Sequence, residues 1–292
     1  MNGSERTARY AELWRYARSI AESIIRDAHP PGTARALQIH RAALSLHHAP
    51  ERAAPQGGVP RTAAHDVLDI LAKEWPRLAT GRLDGADLMR ARPGLWRRLM
   101  TEWPMMEYAD LLLETLEKPG AEPTSILEVG CGVGNTTARL ATRYGARLVW
   151  SDREPSLVRP HRWPGQGRVF DFDADPPSDL GPFTVVVATN ALHCAADVNR
   201  TLSRIRRLLE PGGTLLMAEG SSPTRADGTP WALDLLFSAF DGWWNRSGFL
   251  TRAEWTDALT AQGFTDIGFT ALKAGEDDLG GVMWATEGAH HD

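Results

Sequence analysis

A doubly wound α/β fold, in which a seven-stranded and mostly parallel sheet follows an N-terminal helical lid, is the architecture this sequence predicts. Three observations carry the prediction. The run LEVGCGVGNTT, Leu127 to Thr137, sets Gly130, Gly132 and Gly134 between an apolar strand-like segment and a helical pattern. From about residue 118 onward strand-like and helical stretches alternate, whereas no strand pattern precedes that point. Glu128, Asp152, Asp171, His193 and Glu219 all fall where strands should end, and ligands of an open parallel sheet bind outside the carboxyl ends of its strands.

The 292 residues are enough for a core and an appendage, divided here into a helical lid at 1–104 and a sheet-bearing core at 105–292. In ARYAELWRYARSIAESIIRDA, Leu13, Ala17, Ile20 and Ile24 recur at helical spacing, and Tyr10 and Trp14 widen the stripe. A second helix is expected from Thr33 to Ala49, then an exposed linker from Pro50 to Pro60. A third runs from about Thr62 to Trp75 with Val67, Ile70 and Leu71 inward. Pro93 opens a fourth, carrying Leu95, Trp96, Leu99 and Trp103, and a fifth spans Met105 to Leu116 before Pro119 and Gly120. Aromatics on such helices are ordinarily core, with Tyr10, Trp14 and Trp96 as the candidates to face a pocket.

Ile126 and Leu127 lead into the glycine turn, where Gly132 permits close ligand approach. The spacing is not G-x-G-x-x-G: the third glycine comes one residue early and Glu128 precedes the first. Such a turn suits S-adenosylmethionine better than NAD. A strand at Leu148 to Trp150 ends in Ser151 and Asp152, about twenty residues beyond the glycines, where this fold class sets an acid against ribose hydroxyls. Val169 and Phe170 read as a third strand emptying into Asp171, Phe172 and Asp173, an aromatic beside acceptors that suits an adenine. Either acid taken alone could equally be a solvated loop residue.

Val185 to Ala188 is a continuous apolar run, as expected of a strand buried on both faces, and it ends at Asn190 and His193. Val198, Leu202, Ile205 and Leu208 to Leu209 then follow a helical period up to Pro211 and Gly212. TLLMAEG is the fifth strand, closed by Glu219. An insertion at about 221–250 carries Trp231, Phe237, Phe240, Trp243 and Trp244, read as the wall of an acceptor site, with plain packing of an inserted helix an equal reading for any one of them. TDIGFTAL and VMWATEG, joined by KAGEDDLGG, finish the sheet as an antiparallel pair.

In this order the motifs resemble the methyltransferase domains embedded in polyketide synthases, class I S-adenosylmethionine-dependent enzymes that methylate the carbon between two carbonyls of a carrier-bound chain. The resemblance covers roughly residues 105 to 272. Its more particular marks are NALH, the acid closing the fifth strand, and Trp243 with Trp244 after Asp241 and Gly242. It implies a Rossmann-like core in which Glu128, Gly130, Gly132 and Gly134 hold the methionine part of the cofactor, Asp152 the ribose, and Asp171 with Phe172 the adenine. Asn190 joins the cofactor contacts, and His193 and Glu219 form a dyad. The expected setting is polyketide or hybrid natural-product biosynthesis by a free-standing chain.

Chemistry supports the dyad independently. A sulfonium methyl needs little activation, so the protein must align the reactants and strip a proton from the acceptor. Histidine is matched to that task near pH 7, and a carboxylate on its other nitrogen fixes the tautomer and steadies the imidazolium. The leading expectation is C-methylation of a β-carbonyl intermediate. O-methylation of a hydroxyl by the same histidine is the nearest alternative, and a cofactor-binding cyclase or regulator is another.

A net charge of -5, from 32 basic and 37 acidic residues, argues against broad nucleic-acid binding. Arg204, Arg206 and Arg207 form a local basic run, a solvated face or a meeting place for a carrier protein. Cys131 and Cys194 stand at unrelated positions, so neither a disulfide nor structural zinc is expected. His47, His48, His290 and His291 lack a matched ligand set, and no metal is expected. No apolar stretch approaches eighteen residues and no signal peptide is evident, so the expected location is cytoplasmic and the expected partner a small-molecule or carrier-bound substrate.

Overall fold

The first two helices of the N-terminal region begin on side-chain caps that satisfy one of their first N–H groups. Asn2 caps α1 (Gly3–Arg26) and Thr33 caps α2 (Ala34–His48). The computed structural model describes the chain except residues 54, 56, 57, 119–121, 160, 161, 222–227, 240–248 and 289–292. It divides into a helical unit (Met1–Trp103, Ser221–Phe249 and Lys273–Leu279) and a sheet unit (Pro104–Gly220, Leu250–Leu272 and Gly280–Asp292).

In the helical unit α1 and α2 are joined by α3 (Ala63–Ala79), α4 (Gly85–Arg90), α5 (Pro93–Thr101) and, from the inserted segment, α9 (Asp234–Phe237). Tyr10, Leu13, Trp14 and Ala17 are buried, so the apolar stripe of α1 is core. Helix α3 runs past its expected end at Trp75 and through Pro76. A proline near the last turn removes one ladder bond, while Leu78 and Ala79 are buried beyond it. The six residues of α4 are too few for periodicity to reveal; Asp84 caps it, and Gly85 packs so closely on Ala239 that a Cβ would lie 1.6 Å from that carbonyl oxygen. The segment expected as a linker supplies Arg52, which lies over the rings of Tyr10 and Trp14 and pairs with Asp277.

The sheet unit holds β1 (Ile126–Val129), β2 (Leu148–Asp152), β3 (Gln166–Val169), β4 (Phe183–Thr189), β5 (Leu209–Glu219) and most of β6 (Phe264–Ala274) and β7 (Asp277–Glu287). Their order is β3-β2-β1-β4-β5-β7-β6. The first five run parallel and β7 runs antiparallel to β5, a seven-stranded Rossmann-like sheet of the expected kind. Helices α6 (Met106–Leu116), α7 (Asn135–Tyr144), α8 (Val198–Arg206) and α10 (Arg252–Ala261) complete the unit. The core between sheet and helices is built from residues such as Leu127, Val186, Ala188, Leu215 and Met217 with Leu202, Ile205 and Trp255.

Within the sheet and its helices, boundaries differ from the sequence reading in three further places. Helix α8 stops at Arg206, because Leu208 and Leu209 already serve the sheet: the Phe183 N–H donates to the Leu208 oxygen at 2.8 Å, and Leu209 pairs with Phe183. A register shift between Phe183 and Val185 then absorbs Pro211 and Gly212 inside β5. Strand β3 lies earlier than expected, with Val169 exposed at its end and Phe170 buried after it. The final strands have 11 residues each, and only Gly275 and Glu276 remain for the turn; Gly275, at φ 66°, occupies a left-handed position that a two-residue hairpin turn requires.

Candidate active site

The site is assembled at the carboxyl ends of β1, β2, β4 and β5. Parallel pairing aligns Glu128 with Trp150 on one side and Val187 on the other, so the turns leaving β1, β2 and β4 emerge at one edge of the sheet. Gly130, Gly132 and Gly134 all have positive φ. Their surroundings separate them. A Cβ on Gly130 would come within 2.7 Å of Ala191, and one on Gly134 within 2.1 Å of the Trp163 ring, whereas one on Gly132 would meet nothing within 4 Å. Gly132 therefore borders open space, and the other two are glycines because protein packs against them.

Asp152 anchors this turn: its Oδ2 accepts the Gly132 N–H at 2.9 Å and its Oδ1 the Glu154 N–H at 3.0 Å. Glu128, 2% exposed, is left otherwise, with an Oε2 that has no hydrogen-bond partner. Burial pushes its carboxyl up to about 7, with hydrogen bonding from Thr137 opposing and the Asp152 charge adding. The carbonyl oxygen of the Asn190 side chain is also buried without a partner, on a residue held at φ 49° just beyond β4. Two unmet acceptors and an open glycine cradle form a set of groups made for a ligand bearing N–H donors.

After β3, Asp171 accepts the Asp173 N–H at 2.9 Å, and Phe172 packs partly buried against the core. Asp173 is engaged within the fold: it accepts the Ala196 N–H on both oxygens and the Thr201 hydroxyl, which ties down the start of α8.

Glu219 closes β5 and His193 lies in a 3-10 turn at Leu192–Cys194 that follows β4. His193 Nδ1 stands 2.6 Å from Glu219 Oε2, and Glu219 Oε1 accepts the N–H groups of Ala191 at 3.1 Å and Leu192 at 2.8 Å. These bonds lock the carboxylate against the turn that presents the histidine. Nδ1 is thereby the donor, and Nε2 the nitrogen that takes up a proton. Burial disfavours the imidazolium, but the neighbouring Cys194 sulfur and the Glu219 carboxylate favour it, and the net direction is well above a free imidazole.

Of the aromatics assigned to an acceptor wall, Trp231 and Phe237 lie in the interior of the helical unit. They are 0% and 3% exposed, stacked 5.7 Å apart and edged by Phe249. Phe240, Trp243 and Trp244 lie outside the described residues. Sequence reasoning missed Trp163, whose ring backs Gly134 while Arg162 donates to the Val133 oxygen at 3.1 Å; no local pattern marks a contact between segments so far apart in the chain. Among the described residues no group of side chains is arranged to hold a metal ion, and no helix is long and apolar enough to cross a membrane.

Over residues 95–267 the sequence matches the profile of a family described as a methyltransferase domain. The chain belongs to this methyltransferase family. Its relatives include the non-reducing polyketide synthase mapC of Penicillium roqueforti, 28% identical over 78% of this chain and 10% of that protein. The polyketide methyltransferase ustM of Ustilaginoidea virens is 30% identical over 70% of this chain and 51% of its own length. The matched region thus spans about a tenth of the synthase and half of the second relative. Among solved structures, the methyltransferase shares its fold with the citrinin polyketide synthase CMeT domain (TM-score 0.73, 22% identity, 96% of this chain and 89% of that one). It shares it likewise with trans-methyltransferase CalH in complex with SAH (TM-score 0.68, 19% identity, 97% and 90%). S-adenosylmethionine is the cofactor expected of this fold and family, and the unmet acceptors and the open face of Gly132 fit it.

Proposed function

We propose that this methyltransferase transfers a methyl group to the α-carbon of a β-carbonyl intermediate in polyketide or hybrid natural-product biosynthesis, with His193 as the base and Glu219 as its positioning residue. The observation that carries the proposal is the 2.6 Å contact between His193 and a carboxylate whose other oxygen holds two backbone N–H groups of the same turn. A carbon between two carbonyls is acidic enough for a raised imidazole to deprotonate, and a base so placed contributes about two to four powers of ten in rate. When bound, the cofactor supplies an electrophilic methyl. His193 takes the α-proton on Nε2, and Glu219 stabilises the imidazolium that results.

Glu128 and Asn190 would accept N–H donors of the cofactor's methionine part beside the Gly130–Gly134 turn. Asp152 would bind the ribose hydroxyls, and Asp171 with Phe172 the adenine. Contact with the acceptor is assigned to Phe240, Trp243 and Trp244 on the sequence alone, since Trp231 and Phe237 serve packing within their own unit. The role of residues 1–104 as a lid belongs to the same proposal: a chain beginning near Met105 should lose turnover, because water reprotonates an unshielded enolate.

Incubation with cofactor carrying a 13C methyl group and an acetoacetyl thioester tests the reading. Label on the α-carbon of the product supports it. Label on oxygen would establish O-methylation instead, and binding of the cofactor without label transfer would point to a non-transferring role.

A further inference from the structure

The turn that leaves β1 carries Gly130, Gly132 and Gly134, all at positive φ, and glycine loses more conformational freedom on ordering than any other residue. Such a turn must be held in one shape before a ligand arrives, or the ligand's binding energy goes into ordering it. The holders come from β2 and the segment that follows it. The Cys131 N–H donates to the Ser151 oxygen at 2.9 Å, and the Gly132 N–H to Asp152 Oδ2 at 2.9 Å. Beyond β2, Arg162 donates to the Val133 oxygen at 3.1 Å, and the Trp163 ring lies against Gly134, where a Cβ would come within 2.1 Å of it. Trp163 is itself fixed by its neighbours: its ring meets that of buried Trp150 edge to face, with centroids 5.6 Å apart, and the Arg162 guanidinium stands 4.1 Å from its centroid. Every residue from Cys131 to Gly134 is therefore held by the stretch from Ser151 to Trp163, while Gly132 still borders open space.

We infer that Arg162 and Trp163 brace the glycine turn in its cofactor-binding shape, acting as positioning residues through Val133 and Gly134. The inference rests on the assignment of S-adenosylmethionine to this turn and deepens it by naming what keeps the turn ready. Two features separate a brace from ordinary packing. Arg162 is exposed and Trp163 only half-buried, so neither supplies the burial of a core residue, yet both end on one peptide link, the Val133 carbonyl and the Gly134 Cα. That link is also the one most in need of restraint. Gly134 sits at φ 85° immediately before α7, and the indole ring fills the space in which a side chain at Gly134 would otherwise limit the backbone. Ordering the turn through Trp163 in the free protein removes that cost from the binding step.

Calorimetry with S-adenosylhomocysteine on the full chain, read beside amide hydrogen exchange of the turn, tests the brace. Trp163→Ala should raise Kd roughly tenfold, about the cost of ordering one backbone residue on binding. In that variant without ligand the Gly132 and Gly134 amides should exchange faster, and saturating ligand should restore their protection, while the denaturant midpoint of unfolding changes little. Arg162→Ala should show the same pattern with Kd raised about threefold, and because Arg162 is exposed this variant carries the test should Trp163→Ala not fold. Gly134→Ala should push the ring aside and cost at least as much as Trp163→Ala. The two together should cost no more than Gly134→Ala alone, since the brace is lost only once. Unchanged affinity or unchanged turn exchange in the folded Trp163 variant, losses that add in the combination, or a fall in global stability large enough to account for the faster exchange would overturn the brace. Failure of the wild-type protein to bind S-adenosylhomocysteine would instead count against the cofactor assignment, with turn exchange in the free protein still deciding the brace.

Discussion

Two buried glutamates lie toward the carboxyl edge of the same sheet, and their neighbours treat them in opposite ways. Glu128 on β1 keeps one oxygen without a partner, and burial raises its carboxyl to about 7. Glu219 at the end of β5 has both oxygens occupied, one by two backbone N–H groups and the other by His193. An unmet buried acceptor costs about 1–3 kcal/mol, a cost that persists in a fold when a ligand later meets it. A saturated carboxylate has no such reserve and acts through the group it holds. At similar burial, partners alone distinguish the two carboxylates, and on the proposed function they fit the first to a ligand and the second to positioning a base.

The largest effect should come from emptying the saturated side of this comparison. His193→Ala should lower turnover by about two to four powers of ten and leave cofactor affinity, measured by calorimetry, nearly unchanged. Weakened cofactor binding of similar size would erase the distinction between the two glutamates.

A smaller loss is expected for Glu219→Gln, whose amide preserves one hydrogen bond but not the charge. Its pH profile sharpens the account. In the wild type kcat/KM should rise with pH through an inflection above 6.5, the direction of the raised imidazole, because the base must be neutral. Without the carboxylate, one of the groups that oppose burial is lost and the inflection should move downward. The double variant should be little worse than His193→Ala, since Glu219 acts through the histidine.

On the unmet side, Glu128→Gln should weaken cofactor binding with little change in turnover at saturation. Wild-type affinity should fall as pH drops through about 7, where the carboxylate protonates and ceases to accept a charged donor, and the variant should lose that dependence. Stability should change the other way. A folded pKa of about 7 against 4.5 means that the stabilising contribution is complete below 4.5 and is lost as pH rises through 7, on the order of 3 kcal/mol in all. Thermal unfolding of the cofactor-free protein at pH 8 should therefore show the glutamine variant to be the more stable.

The sheet and most strand ends were legible because they are written locally: an apolar run, a glycine turn, an acid at or after β1, β2, β3 and β5. The end of α8 was not, since Leu208 and Leu209 keep helical spacing and only pairing of Leu209 with Phe183 takes them into β5. Pro76 misled for a similar reason, as the burial of Leu78 and Ala79 outweighs one missing bond. Within the site, the residue types at Glu128, Asp152, His193 and Glu219 could be read, but their partners could not. Nothing local to Glu219 reports that Ala191 and Leu192 donate to it across more than twenty residues, or that Gly134 is backed by Trp163 while Gly132 borders open space.

Proton removal from carbon is the central claim, and hydrogen exchange reads it without methyl transfer. With acetoacetyl thioester and S-adenosylhomocysteine in deuterated water, the wild-type protein should accelerate deuterium entry at the α-carbon well above the uncatalysed rate, and His193→Ala should return it close to that rate. Undiminished exchange in His193→Ala, or none in the wild type under conditions where methyl transfer proceeds, would contradict the assignment of His193 as the base.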